Sequence, residues 1–209
     1  MTSSTTRYGL AFAGFMLFAP PAGAAEVIVS REGDGVAVYF QIPLTDVAGL
    51  FGREAIGLVN TDGEIDLDNL SQGTFEDADL LAQDVEFTLG DQDVEFEALS
   101  MMVHQAENPF AFETPLDAEL AIGVCNVPLP EHTPKPEQMV WAGGWYAYPV
   151  SSSEALTINF PATGRDPMEI SVRIFDSATL ERTEKITLAD DGTLVVPQAG
   201  GWRQWLAGW

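Results

Sequence analysis

The chain has 209 residues, 46% hydrophobic and 20% charged, a balance that excludes disorder throughout and suits a protein with a sizeable core. Its 32 acidic residues face only nine basic ones, giving a net charge of −23 at pH 7. A surface that negative excludes nucleic acid and suits a cationic surface, a divalent ion or a salty medium, with simple solubility as the plainest role of the acids.

The first 24 residues read as a secretory signal peptide. Arg7 supplies the positive start, Tyr8 to Ala19 form an uncharged, mostly apolar run, Pro20 and Pro21 interrupt it, and Ala22-Gly-Ala24 is a small-x-small cleavage site. The run is shorter than the roughly 20 apolar residues a membrane-spanning helix needs. Cleavage after Ala24 is expected, with a soluble periplasmic or secreted product. That product keeps all 32 acids and eight bases, a net charge of −24, and residues 26–120 hold 22 acids against only Arg31 and Arg53. Cys125 is the lone cysteine, so no internal disulfide can form and core burial must supply the stability. Its apolar neighbours make it a buried structural thiol.

Glu26–Ser30 and Val36–Ile42 read as a strand pair across a glycine-containing turn, with Val36, Val38, Phe40 and Ile42 alternating. Leu44–Phe51 has helical spacing, Ala55–Val59 reads as a short strand, and Ser71–Gln83 as an acidic helix capped at Thr74. Val85–Leu89 and Val94–Leu99 alternate around a Gly90-Asp-Gln92 turn and predict a hairpin. Residues 108–119, with two prolines, read as loop, and Leu120–Val127, apolar on both faces, as a central strand. The proline-rich 128–138 segment is expected to run extended. Beyond it Trp145–Val150, Leu156–Phe160, Glu169–Phe175, Lys185–Ala189 and Thr193–Val196 read as strands.

About ten short strands with one or two helices predict an antiparallel β-sandwich. Residues 25–199 are expected to form one domain, with a subdivision at 128–138 as the alternative. In the tail, 200–209, Trp202, Trp205, Leu206 and Trp209 share one face if helical, so the three tryptophans are candidates for a partner contact.

Signatures of catalysis are sparse. There is no Gly-x-Ser-x-Gly, no His-Glu-x-x-His and no phosphate-binding glycine loop, and no cofactor is implied. The stretch Asn60–Asn69 resembles the calcium loop of EF-hand and dockerin modules: aligned on Gly63, Asn60 takes position three, Asp62 five, Ile65 eight and Asp66 nine. It departs from the pattern at Leu58 and Asn69, where the first ligand and the bidentate acid belong. A copper-type set would draw on Met101, Met102, His104, His132, Met139 and Cys125; Met102 and His104 share a strand face. Trp141, Trp145, Tyr146 and Tyr148 either line a sugar platform or divide between a core face and an outer face. The reading that accounts for most of the chain is a non-catalytic binding or accessory protein of the bacterial envelope, whose partner is an envelope protein or a cationic surface. The alternatives are a carboxylate-based hydrolase of glycans and a weak divalent-cation binder.

Overall fold

The computed structural model describes residues 25–52, 59–60, 62–66, 74–124, 134–151, 153–161, 168–176, 179–188 and 191–198. Residues 1–24, Cys125, His132, most of the proline-rich segment and the tryptophan tail lie outside the described residues. Ten strands follow in chain order: β1 (Ala25–Glu32), β2 (Gly35–Pro43), β3 (Glu86–Leu89), β4 (Gln92–Asp93), β5 (Glu97–Gln105), β6 (Met139–Ala147), β7 (Leu156–Asn159), β8 (Met168–Asp176), β9 (Thr179–Leu188) and β10 (Thr193–Val196). Three short α-helices accompany them among the described residues: α1 (Val47–Phe51), α2 (Thr74–Ala82) and α3 (Pro115–Gly123).

The architecture is mainly β, in two sheets consistent with a sandwich. Six strands run in the order β5-β6-β2-β1-β8-β9 and four in the order β10-β7-β3-β4. All pairings are antiparallel except β1 with β8, which run parallel, Val27 lying opposite Val172. The strands beyond the proline-rich segment are therefore interleaved with those before it: β6 pairs with β2 and β5, and β8 with β1.

Alternation along the central strands sorts their side chains into two layers. Val27 and Val29 of β1, Val36, Val38, Phe40 and Ile42 of β2, Trp141 and Trp145 of β6, and Ile170, Val172 and Ile174 of β8 face the second sheet. There they meet Phe87, Leu156, Ile158, Phe160 and Leu194. The middle of this core is aromatic: Phe40, Phe51, Trp141, Trp145 and Phe160 pack with centroids 5.3 to 6.0 Å apart. Buried indole N–H groups need acceptors, and both find one. Trp145 Nε1 donates to the Ala78 carbonyl of α2 at 3.3 Å, and Trp141 Nε1 to Met101 Sδ at 3.1 Å.

The other face of the six-stranded sheet is covered by α3. Ala118, Ala121 and Ile122 of that helix seat on Ile28, Ala37, Tyr39 and Ala142. Gly143 and Gly144 of β6 make both layers possible. A Cβ on Gly143 would lie 2.3 Å from the Trp141 ring on the core side, and one on Gly144 2.8 Å from Tyr39 and 3.0 Å from Ile122 on the helix side.

Residues 108–124 depart most from expectation; 125–127, the rest of the expected strand, lie outside the described residues. In place of a loop and a central strand stands α3. Thr114 caps it: its hydroxyl accepts from the Asp117 amide at 3.2 Å while the Asp117 carboxylate accepts from the Thr114 amide at 3.0 Å, and Pro115 sits in the first turn. The segment reads as apolar on both faces because the helix keeps leucines on its outer side. The hairpin at 85–99 also differs. β4 holds only two residues, and β5 crosses to the other sheet and continues to Gln105, as a one-residue slip between Ala98 and Ser100 resets its pairing with β6.

Candidate functional site

A concavity of about 910 Å³ lies at one end of the sandwich. Three separate parts of the chain build it. The β1–β2 turn contributes Asp34, whose carbonyl accepts from the Val150 amide at 2.7 Å. The segment after β6 contributes Tyr148, Val150, Ser151 and Glu154. The β3–β4 turn and its continuation contribute Asp91, Asp93 and Glu95. Gly90 makes that turn with φ +60°, and its amide donates to Ala155 at 2.8 Å, tying the turn to the post-β6 segment.

Five carboxylates thus line the cleft, from Asp34, Asp91, Asp93, Glu95 and Glu154, and among the described residues no Lys, Arg or His does. Asp34, Asp91, Asp93 and Glu95 are exposed. Tyr148, 66% exposed, stands at the wall and stacks on Tyr146, with ring centroids 6.4 Å apart and planes 7° from parallel. Fixed negative charge beside an open aromatic face attracts a cationic nitrogen by Coulomb and cation–π terms together. The carboxylates do not converge as metal ligands: among the described residues, no group of three or more His, Cys, Asp or Glu is arranged to hold an ion.

The residues singled out in the sequence fall elsewhere. The 60–66 turn closes on itself: Asn60 Oδ1 accepts from the Asp62 and Glu64 amides at 2.9 and 3.0 Å, and Val59 bridges Ile65. The Asn60 oxygen that a calcium loop would direct at the ion is directed at the backbone instead. Asp62 is exposed and Asp66 half-buried beside Ile65, which is anchored in the core. The methionine and histidine set is divided by the sheet. Met101 and Met139 lie in the inter-sheet core, while Met102 and His104 point to the α3 side. His104 Nε2 is occupied by the Ala121 carbonyl at 2.5 Å. Of the four central aromatics, Trp141 and Trp145 are core, so the sugar platform reduces to the Tyr146–Tyr148 pair. Trp202, Trp205 and Trp209 lie outside the described residues.

No family model matches the chain, and no curated protein matches it in sequence. Function therefore rests on the chemistry of the surfaces.

Among the described residues, Glu26 has a raised proton affinity. Burial pushes Glu26 up from the usual 4.5, Arg173 opposes the shift and Glu113 adds to it. Glu26 is at the start of β1, opposite Gln41 and Ser171, at the far end of the strand from the turn that carries Asp34. The cleft escaped sequence reading because its walls come from residues 34, 91–95 and 148–154. The signals available were the Gly90-Asp-Gln-Asp93 turn and the Tyr146/Tyr148 alternation.

Proposed function

We propose that this protein is an exported, non-catalytic binding or accessory protein of the bacterial envelope that holds a cationic segment of another envelope protein in its acidic cleft. The observation that carries this reading is the cleft itself: five carboxylates and an exposed tyrosine around about 910 Å³, with no basic side chain among the lining residues. The leader pattern supports the compartment. The tryptophans at 202, 205 and 209, outside the described residues, serve in this reading as a further, apolar contact with the partner. A glycan hydrolase would need an acid and a base of unequal proton affinity in one pocket. Glu26, the carboxyl that burial raises, stands away from the cleft.

Calorimetric titration of the mature chain with hexalysine tests the proposal. Binding that weakens as salt rises is expected. Replacing three acids at once, Asp91→Asn, Asp93→Asn and Glu95→Gln, is expected to weaken it about tenfold, at roughly 0.5 kcal/mol per exposed ion pair. Hexalysine binding that the triple variant leaves unchanged contradicts the proposal.

A further inference from the structure

A second surface lies on α3. The helix seats Ala118, Ala121 and Ile122 on the sheet and turns Leu116 and Leu120 outward, with Val124 exposed at its C-terminal cap. The three are 64%, 45% and 41% exposed; Leu116 and Leu120, at i and i+4, form an apolar stripe along one helical face, and Val124, already extended, follows the helix end. The helix is thus apolar on two sides, whereas the usual surface helix turns its apolar side inward and its polar side to water. Single exposed apolar residues are ordinary on a surface; an aligned row on one helix is the mark of a contact.

The surroundings narrow the partner. Residues 106–124 carry Glu107, Glu113, Asp117 and Glu119 and no Lys or Arg. Beside the helix a groove of about 480 Å³ opens between α3 and the sheet, with Glu32, Glu119, Tyr39 and Tyr146 in its walls. An apolar stripe with an anionic border fits an apolar stripe with a cationic border. The same charge repels a second copy of this chain and an anionic membrane.

We propose that the outer face of α3 docks a basic amphipathic helix of a partner protein, with Leu116 and Leu120 as its apolar seat. The mode is helix against helix, anchored at residues three and four apart, with Lys or Arg of the partner over the acidic border. The surface is separate from the acidic cleft and relies on none of its carboxylates.

The test uses the full mature chain and two labelled peptides of about 18 residues. One carries Leu on one helical face and Lys on the other; the second scrambles the same residues so that no apolar face forms. The amphipathic peptide is expected to bind at least about tenfold more tightly than its scramble. The decisive variant is Leu116→Glu with Leu120→Glu. Both side chains are exposed, so the melting transition is expected to stay in place. The variant makes the surface more acidic, so binding driven by charge alone would tighten, whereas docking on the stripe weakens at least about tenfold. Equal affinity for the two peptides, or a variant that binds as well as the parent or better, overturns the proposal. So does self-association in sedimentation velocity, or adsorption to phosphatidylglycerol vesicles, that the double substitution abolishes: the stripe would then serve a second copy or a lipid surface.

Discussion

His104 is fully buried between β5 and α3, against the Phe110 ring at 4.9 Å, and its single polar contact is the bond from Nε2 to the Ala121 carbonyl. For that nitrogen to donate, the neutral ring must carry its proton on Nε2, which leaves Nδ1 buried as an acceptor with no partner among the described residues. Burial lowers the proton affinity of His104 below the ordinary value of 6.5, and the bond to Ala121 offsets only part of that. The acids of α3 are engaged elsewhere, Asp117 in the cap and Glu119 with the Tyr39 hydroxyl. The sign follows from linkage. The unfolded chain takes up a proton below 6.5 that the folded chain resists, so the neutral ring's contribution is complete above 6.5 and declines as pH falls. Denaturant melts between about pH 7.5 and 5.5 are expected to show stability falling with pH, and His104→Gln, which can still donate to Ala121, to flatten that slope. Equal slopes in the two proteins would remove His104 as the cause.

At the scale of elements, α3 depends on its first turn. Thr114, Pro115 and Asp117 fix where the chain enters the helix, and Ala118, Ala121 and Ile122 fix where it sits. Thr114→Ala is expected to cost about 1 kcal/mol of unfolding free energy, read from the urea midpoint, because two amides of the first turn lose acceptors or alignment. A variant as stable as the parent would show that packing alone holds the helix. The same element marks the limit of pattern reading. The Thr-Pro-Leu-Asp start is a helix signal in the sequence, but the run from Leu120 onward has apolar residues at every spacing, so period two and period 3.6 fit it equally. Where apolar and polar residues alternate the period is unambiguous: Leu156 to Asn159 and Ile170 to Ile174 are strands as their alternation requires. Strand β6 extends back to Met139 although two glycines interrupt its pattern. Those glycines are where rings of both layers press on the sheet, a contact invisible until the layers are assembled.

At the scale of the whole molecule, charge and fold class were legible because both are sums over many residues: the excess of acids, and the regular turns that bound ten short strands. The cleft was not, because it is a product of topology. Asp34, the 91–95 segment and Glu154 meet only when β1–β2, β3–β4 and the segment after β6 end on the same side. Both proposed surfaces follow from one physical condition, an anionic exterior on which aromatic or aliphatic groups stay exposed at particular places. An anionic exterior alone would attract any polycation everywhere, and the central claim is that binding is local. The most direct measurement is therefore an NMR titration of the isotope-labelled mature chain with hexalysine, following backbone amides and the tyrosine rings. Saturable shifts concentrated at Asp34, Asp91 to Glu95, Tyr148 and Glu154 are the expected result; small shifts spread over acidic residues at both ends of the sandwich would contradict it.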